Sequence, residues 1–141
     1  MILLDTDHMT VIRYAESARH ASLTSRMAAA ADETFATTIV SAEEQMRGWL
    51  VMINKAPDAR RQVPAYERLL ALFSFYAAWQ VVPFDELAAD RFERLRASRV
   101  RIGTQDLKIA STALSRGATL LSANRKDFEK VPGLRVENWL S

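Results

Sequence analysis

The chain has 141 residues, 49% apolar and 26% charged, with a net charge of +2, two histidines and no cysteine. That length favours one domain spanning residues 1–141, large enough to bury roughly 68–70% of its unfolded surface without disulfides. The composition excludes thiolate-bound zinc and cysteine nucleophiles and makes a histidine-rich zinc site a poor expectation. It also offers no apolar run long enough for a transmembrane helix and no signal-peptide pattern at the start, so the expectation is a cytoplasmic protein with no membrane partner.

Ile2 to Leu4 is a short apolar run that reads as a buried strand, and it ends abruptly in Asp5. Asp7 to Tyr14 reads as a short helix and Ser22 to Ala31 as a second helical stretch. Phe35 to Val40 is rich in β-branched residues and predicts the second strand. Ser41 and Glu44 then match a capping box opening a helix that carries Met46, Leu50 and Ile53. Pro57-Asp58 breaks that pattern, and a long helix is expected from near Pro64, giving an antiparallel helix pair. Gln80 to Pro83 predicts a third strand, after which Asp85 caps a helix with Leu87, Phe92 and Leu95 inward. Val100 to Gly103 is a loop, Thr104 caps the next helix, and Gly117 stands just past its end. Ala118 to Leu121 is the fourth strand, Asn124 to Glu129 a polar turn or short helix, and Leu134 to Val136 a terminal strand. Short strands alternating with helices predict an α/β domain with a mainly parallel sheet.

That topology sends the carboxyl ends of all strands to one edge, where open α/β sheets bind ligands. Asp5 follows strand one, Glu43 and Glu44 strand two, Asp85 strand three, and Asn124 and Asp127 strand four; Asp106 lies in the first turn of the helix leading to strand four. Individually these residues have ordinary roles available. Glu44 fits the capping box, Asp7 and Asp85 fit N-caps, Asp106 suits the positive end of its helix, and Asp127 suits a solvated turn between Lys126 and Lys130. Asp5 is the hardest to explain in this way, because the apolar run delivers it to the sheet edge, and several anions on one edge repel unless a cation lies between them. Hard oxygen donors without cysteine point to Mg²⁺ or Mn²⁺, and Mg²⁺ commonly shares its coordination with a phosphate.

Five stretches of the sequence resemble the PIN-domain ribonucleases, and within them the VapC-type toxins of prokaryotic toxin–antitoxin pairs. They are Leu3 to Asp7, Ser41 to Gly48, Ile102 to Ala110, Leu121 to Phe128, and Val131 to Trp139. The resemblance covers essentially the whole chain and implies a three-layer α/β/α domain. By position, Asp5 and Asp106 look like the principal metal ligands of that family. Counting back four residues from Gly48 selects Glu44, with Glu43 as the nearby alternative, and both Asn124 and Asp127 fit the fourth block. Asp7 occupies a place where the family often has Asn or Asp. The implied activity is a magnesium-dependent endoribonuclease that leaves a 5′-phosphate and a 3′-hydroxyl, with Glu44 or Asp127 orienting or deprotonating the attacking water. The implied partners are an RNA substrate, a cognate antitoxin whose tail covers the acidic pocket, and a second copy in a homodimer.

Arg125 and Lys126 are the expected substrate contacts nearest that site, and Arg91, Arg94, Arg96, Arg99 and Arg101 cluster just before Asp106, either as a phosphate-contacting stripe or as a solvated helix face. Trp49, Trp79 and Trp139 read as core or interface, and His8 as structural. Asp5-Thr6-Asp7 also resembles the opening of haloacid-dehalogenase-type phosphatases, but Met9 departs from that pattern and the downstream lysine and paired-acid loop are missing. A solitary PIN nuclease and a non-catalytic RNA-binding PIN module are the remaining alternatives.

Overall fold

The computed structural model describes residues 1–15 and 17–141. Five strands, β1 (Ile2–Leu4), β2 (Phe35–Thr38), β3 (Val81–Val82), β4 (Thr119–Leu121) and β5 (Val136–Glu137), form one sheet in the order β3-β2-β1-β4-β5. Every neighbouring pair is parallel, with Leu4 opposite Thr37 on one side and Leu121 on the other. The helices that connect them are α1 (Thr6–Arg13), α2 (Ala18–Ala29), α3 (Ile39–Lys55), α4 (Ala59–Ala77), α5 (Glu86–Ala97), α6 (Thr104–Ser115) and α7 (Arg125–Phe128).

The side-chain period of two in β1 splits the apolar residues between two cores. Leu3 packs with Val40, Phe92, Ile109, Leu120 and Phe128 on one face of the sheet. Ile2 and Leu4 pack with Met9, Leu23, Leu72, Leu121 and Trp139 on the other. Helices therefore cover both faces, as the α/β/α expectation requires. The chain moves from β1 outward through β2 to β3, then returns to the opposite side of β1 as β4. That reversal opens a crevice beyond the carboxyl ends of β1 and β4, where Asp5 and Ser122 follow directly.

Several boundaries differ from the sequence expectation. The run Thr37-Thr38-Ile39-Val40 looks extended throughout, but Thr38 caps α3 by accepting from the Ser41 N–H at 3.0 Å, so β2 stops there. Ser41 is thus a buried residue inside the helix, and the capping box with Glu44 does not form. Asp5, not Asp7, is the N-cap of α1. Ser17 starts α2 earlier than expected by accepting from the His20 N–H. Asp58 caps α4, leaving Pro64 inside that helix rather than at its start. Gly103, not Thr104, is the N-cap of α6. Leu87 is 63% exposed; the buried stripe of α5 is Ala88, Phe92 and Leu95, spaced at i, i+4 and i+7. β5 lies at Val136–Glu137, one residue later than expected at its end.

Candidate active site

Asp5 is only 7% exposed although it stands one residue past a fully buried strand. Its backbone continues the ladder, with the N–H bonded to the Leu121 carbonyl at 2.9 Å. One carboxylate oxygen accepts from the Thr6 N–H at 2.8 Å and the other from the Ser122 hydroxyl at 2.8 Å. Burial, with the charge of Asp7 and then of Asp106 behind it, pushes its pKa up to about 7 against the pull of those two hydrogen bonds.

Asp106 reaches the same edge from the first turn of α6. Burial raises its pKa, and the charges of Asp127 and Asp7 add to the rise. Asn124 bridges two of the acids: its side-chain amide donates to Asp106 Oδ2 at 3.2 Å and to Asp127 Oδ2 at 3.2 Å. Asp127 also faces Lys130 Nζ at 3.5 Å.

The two adjacent glutamates diverge. Glu44 accepts from the Thr6 hydroxyl at 2.9 Å, and burial raises its pKa, with the charges of Asp106 and Glu43 contributing. Glu43 is lowered by a hydrogen bond from Gln105 Nε2 at 2.8 Å and is ion-paired to Arg47 one turn along α3. Glu44 is therefore the glutamate that shares the electrostatics of Asp106, while Glu43 has its own cation.

Asp7 is fully engaged elsewhere. It accepts from the Ala123 N–H at 2.8 Å and from His8 Nδ1 at 2.6 Å. Burial opposes ionisation, but the His8 and Ala123 hydrogen bonds outweigh it and lower its pKa. His8 is completely buried, and its Nε2 accepts from the Trp139 N–H at 3.1 Å, which places the ring proton on Nδ1, facing Asp7. Asp7 thus ties α1 to the segment after β4. Asp85 caps α5 through the Ala88 N–H and pairs with Arg116 at 3.2 Å, apart from the acidic group. Arg125 is ion-paired with Glu129 at 2.9 Å, and Lys126 is exposed.

Three residues not singled out from the sequence help to build the site. Ser122 holds Asp5 and receives the Asn124 N–H at 3.0 Å. Its signal was a hydroxyl directly beyond an apolar strand, in register with Asp5. Thr6 holds Glu44. Tyr76 carries a buried hydroxyl with no hydrogen-bond partner among the described residues. Burial, less the effect of Arg13 and with the charges of Glu44 and Asp5, pushes its pKa up to about 12.

Among the described residues no Lys or Arg forms an ion pair with Asp5, Glu44 or Asp106, and no three acids or histidines converge into a ready metal cage. Thr6 holds one oxygen of Asp5 and one of Glu44, Ser122 the other oxygen of Asp5, and Asn124 one of Asp106. The donor set, all hard oxygen and carrying uncompensated charge, fits a divalent cation that retains part of its water shell. Asp5 and Asp106 would hold it, with Glu44 and Asp127 beside them. A groove of about 520 Å³ opens next to this edge, sharing Thr6 and Glu44 with it and walled by Arg13, Tyr14, Trp49 and Met52.

The profile of the PIN domain family matches residues 2–134. The tRNA(fMet)-specific endonuclease VapC of Salmonella typhimurium is 38% identical over 80 residues, which cover 53% of this chain and 61% of that protein. The protein of the same name from Shigella flexneri is 36% identical over 85 residues, covering 57% and 63%. The chain thus covers less than two thirds of the length of either relative. Among solved structures, DNA-bound VapBC from Salmonella typhimurium superposes with a TM-score of 0.74 at 24% identity, covering 98% of this chain and 97% of that one. VapBC-1 from nontypeable Haemophilus influenzae superposes with 0.69 at 21% identity over 100% of both. At these identities the superpositions establish the fold.

Proposed function

Because the chain belongs to the PIN domain family, we propose that its acidic edge is the active site of a Mg²⁺- or Mn²⁺-dependent endoribonuclease, the toxin of a VapC-type toxin–antitoxin pair. The observation that carries this is Asp5, a nearly buried carboxylate at the crevice, pushed up to about 7 by burial and Asp7, and without a cationic side chain to offset it. Asp5 and Asp106 would hold a divalent ion there, which would supply that positive charge and the Lewis acidity to activate a water and to neutralise charge on the reacting phosphate.

The protein's own groups do the rest. Ser122 and the Thr6 N–H orient Asp5, and Asn124 orients Asp106 toward Asp127. Glu44, half-buried and raised by burial and by Asp106, is the group poised to take the proton of the attacking water. Thr6 fixes its carboxylate. Lys126, exposed and without an ion pair among the described residues, is placed to meet substrate phosphate, whereas Arg125 must first leave Glu129. Hydrolysis of the RNA phosphodiester then leaves a 5′-phosphate and a 3′-hydroxyl.

Two partners complete the proposal. Leu50, Met52, Tyr66, Leu70 and Phe73 on α3 and α4 are each about half exposed or more, from 49% to 69%. Such a patch marks a contact surface and supports both a cognate antitoxin and a second copy of the chain. Solved structures that share this fold include a toxin–antitoxin complex from Klebsiella pneumoniae and a member of the VapBC family of toxin–antitoxin systems from Mycobacterium tuberculosis.

The test is purified, antitoxin-free protein incubated with total RNA, with and without Mg²⁺ or Mn²⁺. Metal-dependent cleavage with 5′-phosphate ends, lost in Asp106→Asn, is expected. Intact RNA under all of these conditions sinks the proposal.

A further inference from the structure

α5 ends in a turn whose central position demands a left-handed backbone. The Arg99 N–H bonds the Arg96 carbonyl at 3.0 Å and the Val100 N–H bonds the Leu95 carbonyl at 3.2 Å, which is the Schellman pattern. Arg99 sits at φ 59, the one positive φ outside glycine among the described residues. α6 ends in the same way, with the Gly117 N–H on the Leu114 carbonyl and the Ala118 N–H on the Ala113 carbonyl. There the position at φ 60 is held by glycine. An arginine where the fold favours glycine is a strained choice, and strain of this kind points to a role for the side chain.

The surroundings say what that role is. Residues 91–101 carry five arginines against the single acid Glu93, while the whole chain is only +2, so the remainder is net negative. All five arginines are exposed. Arg26, Arg47, Arg61, Arg116 and Arg125 each pair with a carboxylate, but among the described residues none of these five does. Arg96, Arg99 and Arg101 rim a depression of about 470 Å³ floored by Ile102, Thr104 and Leu107. Arg96 is steadied by the Phe92 ring, 5.6 Å from its guanidinium carbon to the ring centroid. Thr104 and Leu107 belong to the first turn of α6, and Asp106 lies between them in that turn.

We propose that Arg96, Arg99 and Arg101 form a second phosphate-binding subsite, which grips the RNA backbone a few nucleotides from the bond that is cut. This rests on the endoribonuclease proposal above. The acidic edge repels a polyanion, so a strand laid across Asp5, Glu44 and Asp106 needs cationic ground beside it. The cradle supplies it on the flank of the helix that carries Asp106. Guanidinium forks suit phosphate oxygens, which they meet with two parallel N–H bonds.

The test measures binding of a fluorescein-labelled, single-stranded, mixed-sequence oligoribonucleotide to the full chain in EDTA, by anisotropy, between about 50 and 200 mM KCl. Arg99→Gly should bind at least threefold more weakly while melting at the same temperature as the unaltered protein or higher. Arg96→Gln/Arg99→Gly/Arg101→Gln should bind at least tenfold more weakly, with the slope of log Kd against log salt shallower by about two, since each lost single-strand phosphate contact removes about 0.7. Unchanged affinity and slope in the triple variant overturn the proposal. So does a loss of affinity in Arg99→Gly that comes with a lower melting temperature, which marks a structural residue. Displacement of RNA by polyglutamate at equal charge concentration overturns it in favour of an acidic protein partner. Cleavage plays no part in this readout. If metal-dependent cleavage is absent but the arginine effects are present, the nuclease proposal alone fails; the reverse result removes the subsite alone.

Discussion

Asp5 binds its proton more tightly in the folded protein than in the unfolded chain, because burial and the neighbouring Asp7 raise its pKa from the ordinary 3.8 to about 7. Between about pH 4 and 7 the native state therefore holds a proton that the unfolded chain has released, and this group's contribution to stability falls as pH rises through that window. Asp7 acts with the opposite sign: its His8 and Ala123 bonds lower its pKa against the effect of burial, so its contribution is present above the ordinary carboxylate range and lost on acidification. In metal-free buffer, Asp5→Asn should flatten the decline from pH 5 to 8 and stabilise the protein at pH 8 by on the order of 1–3 kcal/mol. Thermal melts across that range check it, and an Asp5→Asn variant less stable than the parent at pH 8 contradicts it. The two glutamates also separate by mutation. Glu44→Gln should lower kcat by about 10² or more, the usual scale for a lost proton acceptor. Glu43→Gln should cost far less, since Glu43 is bound to Arg47 and Gln105. Single-turnover cleavage by the two variants decides between them.

At the scale of elements, the sequence showed where the strands deliver their carboxylates but not always how the helices begin. Ile2 to Leu4 read as a buried strand, as it is, so Asp5 at its rim was readable. The Gly103 to Ala110 stretch placed Asp106 in a first turn with equal clarity. The start of α3 was not readable, because Thr37 to Val40 is β-branched and Thr38 has the same side chain whether it extends a strand or caps a helix. Only the hydrogen bond to the Ser41 N–H distinguishes the two. Thr38→Val keeps the shape and removes that bond; it should destabilise by about 1 kcal/mol, measured by denaturant melts. Tyr76 was hidden for another reason. On the apolar stripe of α4 it reads as core, and its ring is core; its buried hydroxyl, unpartnered among the described residues, is what the stripe does not announce. His8 and Trp139 meet across 131 positions, a separation that no local pattern encodes.

For the molecule as a whole, the uncompensated charge at the crevice makes the native state receptive to a divalent cation in a way that the unfolded chain is not. Mg²⁺ or Mn²⁺ at a hundred times its dissociation constant should add about 2.7 kcal/mol of stability. The rise in melting temperature should be absent in Asp106→Asn. An equal rise with and without Asp106 would place the ion elsewhere. The sheet makes this a property of the complete fold, because its central strand is shared by every layer that contributes an acid.

The hydrogen bond from Ser122 to Asp5 spans 117 positions of the chain, and β1 gains its β4 neighbour only through residues 119–121. On the ribosome, the first strand and its carboxylate emerge early, but the hydroxyl that orients Asp5 and the amide that orients Asp106 emerge more than a hundred residues later. A nascent chain therefore carries Asp5 and Glu44 long before Ser122, the hydroxyl that holds Asp5. Synthesis at ~5–20 residues per second separates Asp5 from Ser122 by several seconds. The group that holds Asp5 therefore joins the sheet edge late in the chain, because the crossover from β3 returns to β1 only at β4.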